Sequence, residues 1–215
     1  MPKGRFIVFE GGDTVGKSTQ VRWLAASLEQ ANVPHLITFE PGATWLGGHL
    51  RQLLLDPDSG DICPRSEALL YLADKAQHVA ELIQPALEQG LVVVSDRYVD
   101  SAIAYQGSGR ELAREQVTAV ARWATDDLRP DLTVLLDADP DAAVATLTAK
   151  DRLESAGLAL HRRARQAFLE FAAADPAHYL VIDARLPRET IAAQVRDRLA
   201  AFNLKLSPPS DMLEL

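Results

Sequence analysis

Short apolar runs alternate with longer amphipathic stretches along most of the chain. The runs are rich in β-branched residues and lie at positions 6–10, 35–40, 91–96, 132–137 and 179–183. Within each run, apolar and polar residues alternate little, which is typical of strands covered on both faces in a parallel sheet. The sequence therefore predicts five buried strands.

The stretches between the runs are rich in Ala and Leu and are long enough for crossover helices. Helices are predicted within residues 17–31, 67–90, 111–128, 140–151 and 188–202. Strands that alternate with helices predict an α/β fold, a doubly wound and mostly parallel five-stranded sheet with helices on both faces. In such folds ligands bind beyond the carboxyl ends of the strands.

Composition narrows the class of protein. The 215 residues carry a net charge of −8, which disfavours a broad surface for a nucleic acid polymer or an anionic membrane. A single cysteine, Cys63, excludes an intramolecular disulfide and suits a reducing compartment. The start of the chain lacks a secretory signal pattern, and the apolar runs are too short to cross a bilayer. We expect a cytoplasmic protein that does not contact membranes.

The segment Gly11 to Ser18 fits the phosphate-loop pattern G-x-x-x-x-G-K-[ST]. It follows a predicted strand and opens a predicted helix, which is the context that the motif requires. Loop N–H groups and the helix N-terminus then bind phosphate, Lys17 reaches the β and γ oxygens, and Ser18 ligates Mg²⁺. The predicted ATP-binding residues are Gly11, Gly12, Asp13, Thr14, Val15, Gly16, Lys17, Ser18 and Thr19.

The loop alone is compatible with a GTPase, an ATPase or a small-molecule kinase. A GTPase should carry N-K-x-D, but the only asparagines are Asn32 and Asn203, and neither precedes Lys. At the end of the third predicted strand, Asp96 stands where P-loop proteins place a carboxylate near Mg²⁺. Arg97 can hold a monophosphate in a two-pronged manner, although a structural bridge to Asp96 stays open.

Five segments carry a resemblance to a known family. They are FEGGDTVGKSTQ at 9–20, TFEPGAT at 38–44, RSEALLYLADKAQH at 65–78, SDRYVDSAIAYQGSGREL at 95–112 and DRLE at 151–154. In this order they resemble the thymidylate (dTMP) kinase family from residue 6 to about 202. The resemblance implies a three-layer P-loop kinase fold with a short lid, transfer of the γ-phosphate of ATP to dTMP with Mg²⁺, and a homodimer. It also implies a kinase domain at 1–203, with the lid at about 148–163, and a C-terminal tail at 204–215.

The resemblance assigns roles to individual residues. Asp13 reaches the 3′-hydroxyl of the acceptor, Tyr71 stacks on thymine beside Lys75, and Tyr105 crowds the 2′ position; taken alone, Tyr71 would more often be a core residue. The implied dTMP-binding residues are Asp13, Glu40, Pro41, Arg51, Tyr71, Lys75, Arg97, Ser101, Tyr105 and Gln106. The predicted metal ligands are Ser18 and Asp96, and the predicted catalytic residues are Lys17, Asp13, Arg97, Arg152, Lys150 and Glu154.

Some positions depart from the family pattern. Members carry an Arg or a Gly where this chain has Thr14, so we expect the cation for the transferred phosphoryl group to come from Arg152 or Lys150, with Glu154 acting through magnesium. Phe39, Lys75 and Ala102 replace other residues around the acceptor, which predicts looser selection of thymine. Another nucleoside monophosphate kinase and an inactive nucleotide-binding regulator remain alternatives. The five histidines, His161 among them, are interpreted as incidental.

Overall fold

The fold is described from a computed structural model, which covers residues 4–110, 112–141 and 157–209. Its sheet has five strands in the order β2-β3-β1-β4-β5, and all four neighbouring pairs are parallel. The strands are β1 (Arg5–Gly11), β2 (His35–Phe39), β3 (Val92–Asp96), β4 (Leu132–Asp137) and β5 (Tyr179–Asp183). The five predicted strands and the parallel sheet are confirmed.

Helices cover both faces of the sheet. They are α1 (Lys17–Gln30), α2 (Trp45–Leu55), α3 (Pro64–His78), α4 (Gln84–Glu88), α5 (Val99–Ala102), α6 (Arg114–Ala124), α7 (Leu158–Ala174) and α8 (Arg188–Leu199). Two wider π-helical stretches, Val79–Ile83 and Ile103–Gly109, follow α3 and α5. Within the described ranges, no helix is both long enough and apolar enough to cross a bilayer.

The helix predicted over 67–90 is present as one helical stretch that ends at Glu88 and contains a π-helical segment. It begins earlier, at Pro64, and the π-helical stretch separates α3 from α4. Pro85 lies in the first turn of α4, where a proline removes a helical N–H and its ring crowds the carbonyl group four residues before it. The chain accommodates the proline by widening the preceding turn. Gly90, which follows α4, has a left-handed conformation, with φ +81°.

The other predicted helices differ in their bounds. The helix predicted over 111–128 is shorter, because α6 spans only Arg114–Ala124. Helix α7 was not predicted, and residues 158–163 of the expected lid form its start. The predicted helix over 140–151 lies outside the described residues from position 142 onward.

Alternate side chains of β1 build two cores. Ile7 and Phe9 pack with residues of α1 and α8, whereas Phe6 and Val8 pack with residues of the α3–α4 region. All four side chains are buried, because successive residues of a strand point to opposite faces. This two-sided burial explains the lack of alternation in the sequence.

Strands β2, β3 and β1, which are neighbours in the sheet, end at nearly the same level. Asp96 of β3 is in register with Phe9 of β1 on one side and with Phe39 of β2 on the other. Because the strands are parallel, the segments that follow them leave the sheet at one edge. The phosphate loop, the Glu40-Pro41 turn and Arg97 therefore meet there.

Candidate active site

The loop of residues 11–18 joins β1 to α1 in a conformation that depends on glycine. Gly11 and Gly16 have φ angles of +133° and +94°, which residues with a Cβ rarely adopt. At Gly11 a Cβ would also lie 2.3 Å from the Leu136 carbonyl oxygen, so β4 approaches the loop backbone closely. No side chain of the described residues caps the start of α1, and its first N–H groups are available to an anion.

Lys17 is buried and lies across its own loop. Its Nζ atom donates hydrogen bonds to the carbonyl oxygens of Gly11 (3.2 Å) and Gly12 (2.5 Å). Burial of the ammonium group, and next the charge of Arg97, lower its pKa to about 8. A phosphate placed beside Nζ would favour the charged form and raise this pKa.

Ser18 and Asp96 bring together the first turn of α1 and the end of β3. The Ser18 hydroxyl donates a hydrogen bond of 2.7 Å to Asp96 Oδ2. Both side chains present oxygen, the ligand atom that Mg²⁺ prefers. The pair therefore fits a magnesium ion that also binds the phosphates of a nucleotide.

Arg97 follows β3 in a left-handed backbone conformation, with φ +72°. Its guanidinium donates to the Gly11 carbonyl oxygen and to Ser101 Oγ, both at 3.0 Å, and also to Asp13 Oδ1. The sequence left open a bridge from Arg97 to Asp96, but the ion pair that forms is with Asp13. Burial alone would raise the pKa of the Asp13 carboxyl; the charges of Arg97 and Lys17 outweigh it and hold that pKa below its usual value.

A cavity of about 190 Å³ lies directly beside this ion pair. Its walls come from the loop, the Glu40-Pro41 turn, α2, α3 and the segment after β3. The lining residues are Asp13, Glu40, Pro41, Arg51, Leu55, Tyr71, Lys75, Arg97, Ser101, Ala102, Tyr105 and Gln106. All ten residues that the resemblance assigns to the acceptor are among them.

Two arginines, Arg51 and Arg97, line this cavity. Arg97 is held as described above, 5.6 Å above the Tyr105 ring. Arg51 of α2 donates a 2.7 Å hydrogen bond to the Pro41 carbonyl oxygen and lies over the ring of Phe39. Two guanidinium groups on one small cavity favour a ligand with a phosphate.

Comparisons with known proteins agree on one family. A family model described as "Thymidylate kinase" matches residues 9–195. A thymidylate kinase of Cutibacterium acnes is 56% identical over 199 residues, which cover 93% of this chain and 98% of that protein. One of Bifidobacterium longum is 52% identical and covers 89% of this chain and 95% of its own length.

The chain belongs to the thymidylate kinase family. The solved structure of thymidylate kinase from Ehrlichia chaffeensis also has the same fold. Its TM-score is 0.76 at 29% identity, and the match covers 92% of this chain and all of that one. The family fold that the sequence predicted is therefore confirmed.

The resemblance places Lys75 beside thymine. In the structure, Lys75 pairs with Glu40. Its Nζ atom binds Glu40 Oε2, and both side chains are buried. The other carboxylate oxygen, Oε1, hydrogen-bonds His78 Nδ1 at 2.7 Å, and His78 Nε2 lies 2.6 Å from Thr38 Oγ1. Burial raises the pKa of Glu40, but Lys75 and His78 outweigh it and lower that pKa. Lys75 therefore holds Glu40 in place, a role the sequence reasoning did not include.

Glu10 supports Arg97 from beneath the loop and was also missed. Its carboxylate accepts hydrogen bonds from the backbone N–H of Tyr98 (2.9 Å) and from Ser101 Oγ (2.6 Å). Ser101 Oγ in turn accepts from Arg97. Burial, and next the charge of Asp100, raise the pKa of Glu10 to about 7. Glu10 ends an apolar strand run in the sequence, and its charge there was the available signal.

Gln106 and its neighbours close the far side of the acceptor cavity. The Gln106 amide lies 3.4 Å from Glu67 Oε1, and Glu67 also accepts two hydrogen bonds, at 3.0 and 3.1 Å, from Arg110. Gln106 and Glu67 are buried. This arrangement fixes Gln106 at the cavity wall.

The predicted lid residues Lys150, Arg152 and Glu154 lie outside the described residues. The arginines that follow them on α7 each have a partner within the described part of the chain. Arg162 pairs with Asp141, Arg165 pairs with Asp137, and Arg163 donates to the Gly109 carbonyl oxygen.

His161 lies at the candidate active site, contrary to its interpretation as incidental. It is buried on α7, and its Nδ1 atom lies 4.0 Å from Asp13 Oδ2. Its ring meets that of Tyr105 edge to face, with centroids 6.1 Å apart. No sequence spacing connects residue 161 to residue 13, because the contact depends on how α7 returns to the sheet edge.

Proposed function

We propose that this protein transfers the γ-phosphoryl group of ATP to dTMP, giving ADP and dTDP for nucleotide biosynthesis. Its membership of the thymidylate kinase family supports this reaction. The observation that carries the proposal is the 190 Å³ cavity in which Asp13 and Arg97 meet, because the phosphate loop itself forms part of its wall. An acceptor in this cavity lies beside the loop that binds the donor.

The loop residues supply the donor site. Backbone N–H groups of residues 11–19 and the α1 N-terminus bind the β- and γ-phosphates, and Lys17 Nζ moves from the Gly11 and Gly12 carbonyl oxygens to phosphate oxygens. Lys17 is the only cation within the loop segment 11–18. The reaction needs charge neutralisation and alignment, because the acceptor phosphate is already an anion and needs no strong base.

Ser18 and Asp96 would hold Mg²⁺ together with the donor phosphates. Held by these two side chains, magnesium would supply positive charge that offsets part of the charge on the donor phosphates. Ser18 contributes a hydroxyl and Asp96 a carboxylate, directly or through water. Their 2.7 Å hydrogen bond supports a shared role for the two side chains.

Arg97 and Arg51 bind the acceptor phosphate in this proposal. Arg97 is held by three groups, the Gly11 carbonyl, Ser101 and Asp13, so little conformational freedom is lost on binding. Asp13 binds the 3′-hydroxyl with its remaining oxygen, and Tyr105 excludes a 2′-hydroxyl. Ser101 and Gln106 complete the polar contacts to the nucleotide.

The base lies against Tyr71, with Pro41 and the Glu40–Lys75 pair at its edge. Because Lys75 is bound to Glu40, it has less capacity to read the base. Ala102 adds no hydrogen-bonding side chain to the same cavity. These two observations favour, as a second candidate, a nucleoside monophosphate kinase with relaxed base selection.

Arg152 or Lys150 would supply the cation that Thr14 does not, and Glu154 would act through magnesium. We place these residues in a lid at about 148–163 within a kinase domain of residues 1–203, followed by a tail at 204–215. The arginines of α7 that have acidic partners, Arg162 and Arg165, fit this role less well.

We also propose a cytoplasmic homodimer. Helix α2 packs against α3, and α3 packs against α6. Each of these helices exposes a large apolar side chain. Trp45 is 78% exposed, Leu69 58% and Trp123 83%. Large exposed apolar side chains on neighbouring helices are typical of an interface between subunits.

A coupled assay of ADP release tests the function. We expect dTMP-dependent ADP release, with kcat/KM for dTMP at least tenfold above that for dUMP, dCMP and dGMP. Similar kcat/KM values for all four monophosphates would instead support the second candidate, a nucleoside monophosphate kinase with relaxed base selection. ADP release that is independent of any monophosphate would rule out both kinase functions.

A further inference from the structure

Asp13 and His161 each have a buried polar atom without a partner, and the other ring nitrogen of His161, Nδ1, is the one that lies near Asp13. Asp13 Oδ2 and His161 Nε2 are buried, and neither has a hydrogen-bond partner among the described residues. The His161 side chain is only 5% exposed. Buried polar atoms without partners are energetically unfavourable, so native proteins nearly always satisfy them.

The two side chains border one small cavity. Its volume is about 30 Å³, and Tyr105 and Phe168 form part of its wall. One water molecule needs roughly 10–15 Å³ of such volume. The cavity therefore has room for one or two small polar groups, and not for a nucleoside.

The distance between the facing atoms is suited to a single bridging oxygen. His161 Nδ1 and Asp13 Oδ2 are 4.0 Å apart, too far for a direct hydrogen bond. One oxygen placed about 2.8 Å from both would form its two hydrogen bonds at an angle of roughly 90°. With the proton of the imidazole on Nδ1, the oxygen donates to the carboxylate and accepts from the imidazole N–H. An O–H group does both, whereas a carbonyl oxygen cannot donate and an ammonium group cannot accept.

We propose that His161 and Asp13 together bind one O–H group, and that His161 thereby fixes Asp13 Oδ2 toward the acceptor sugar. The other oxygen of Asp13 is bound to Arg97, so this contact completes the support of the carboxylate. The O–H group is either a buried water molecule or the 3′-hydroxyl of the acceptor. Tyr105 and Asp13 line both this cavity and the larger acceptor cavity, which places the two sources next to each other. The inference rests on the proposed function.

The test compares His161→Phe and His161→Asn, with dTMP and its 3′-deoxy analogue as acceptors. Asn retains a polar atom close to the position of Nδ1, whereas Phe removes it. If the sugar supplies the O–H group, His161→Phe lowers kcat/KM for dTMP about tenfold and leaves the 3′-deoxy analogue within twofold. If water supplies it, both acceptors lose about tenfold alike. In either case, kcat/KM of His161→Asn stays much closer to the wild-type value than kcat/KM of His161→Phe does.

His178→Phe is the matched control, because His178 is exposed and pairs with Asp175 away from the cavity. Values within twofold of wild type for both acceptors in His161→Phe would overturn the proposal. So would a loss that His161→Asn does not restore, since that result indicates packing alone.

A high-resolution crystal structure of the protein without nucleotide gives a readout independent of activity. With a water bridge, electron density for one oxygen lies within 3.2 Å of both atoms; with a sugar bridge, that density appears only with dTMP bound. If electron density for a bridging oxygen is absent both from the structure without nucleotide and from the structure with dTMP, the inference is overturned, even if the enzyme is active. Absence of activity with dTMP in the wild type, by contrast, refutes the proposed function.

Discussion

The Arg97 guanidinium binds the Asp13 carboxylate, joining the end of β3 to the phosphate loop across 84 residues of sequence. The contact links the two halves of the proposed reaction, because Asp13 belongs to the loop that binds the donor and Arg97 faces the acceptor. Arg97 can therefore bind an acceptor phosphate only if its guanidinium releases the Asp13 carboxylate or contacts both groups at once.

The first prediction concerns the shape of the Arg97 side chain. Arg97→Lys retains a positive charge but cannot contact Gly11, Ser101 and Asp13 in the same plane. We expect kcat/KM for dTMP to fall about 100-fold, since a misplaced phosphate loses alignment with the donor. Steady-state ADP release measures this, with exposed Arg122→Lys as the control. A loss under threefold would show that Arg97 does not clamp the acceptor.

The second prediction concerns the lid. If Arg152 or Lys150 neutralises the transferred phosphoryl group, replacing that residue with Ala should lower kcat by about 10³-fold, with a small change in KM for ATP. Single-turnover transfer to dTMP isolates the chemical step. Should both Ala variants keep kcat within twofold of wild type, the missing cation does not come from these positions.

Lys17 gives a prediction about pH. Its pKa of about 8, lowered by burial and by Arg97, means that the ammonium group loses its proton as pH rises above 8 in the free protein. ATP should therefore bind up to about tenfold more weakly for each pH unit above 8, and binding near pH 8 should take up a proton. Calorimetry in buffers of different ionisation enthalpy measures both effects. An affinity that is constant from pH 7 to 9.5 would contradict this pKa.

Glu10 gives a prediction about stability. Its pKa is raised from 4.5 to about 7 by burial and by Asp100. The folded state thus binds the proton more tightly than the unfolded state, and the contribution of Glu10 to stability decreases as pH rises from 4.5 to 7. The loss amounts to about 3 kcal/mol at most. Glu10→Gln should remove this dependence.

Urea unfolding of wild type and Glu10→Gln at pH 5, 6, 7 and 8 measures that change. The free energy of unfolding of Glu10→Gln, relative to that of wild type, should increase as pH rises to 7 and then remain constant. A difference that does not vary with pH would show that Glu10 is ionised throughout this range.

The buried Glu40–Lys75 pair predicts strong coupling between its members. Lys75→Met leaves Glu40 charged and without its cation, and should destabilise the fold by about 3 kcal/mol. Glu40→Gln combined with Lys75→Met should recover most of that loss, because no buried charge remains unpaired. Thermal unfolding of the two single variants and the double variant gives the coupling energy. Additive effects would show that the pair contributes nothing beyond its separate members.

Much of this architecture was predictable from the sequence, because the physical signals are local. Apolar runs such as residues 132–137 lack alternation, and the loop from Gly11 to Ser18 has a fixed spacing of glycines and cation. The family resemblance then brought residues as distant as Asp13 and Gln106 into one acceptor site. The structure places all ten of those residues around one cavity.

What was missed depends on packing. The helix predicted over 67–90 contains a wider turn before Pro85, and that turn has no sequence signature. Lys75 bears a charge that suits a base-reading role, but its Nζ atom is bound by Glu40 through the turn after β2. His161 reaches Asp13 only because α7 packs against the segment that contains Tyr105. Contacts of this kind follow from tertiary structure and cannot be read from spacing.

The central claim is that donor and acceptor phosphates are held at one sheet edge by Lys17 and Arg97. A crystal structure with dTMP and a non-hydrolysable ATP analogue tests it most directly. The account predicts Lys17 Nζ on the β- and γ-phosphates and both terminal nitrogens of Arg97 within 3.2 Å of the dTMP phosphate. Arg97 still bound only to Asp13, with dTMP lying elsewhere, would contradict it.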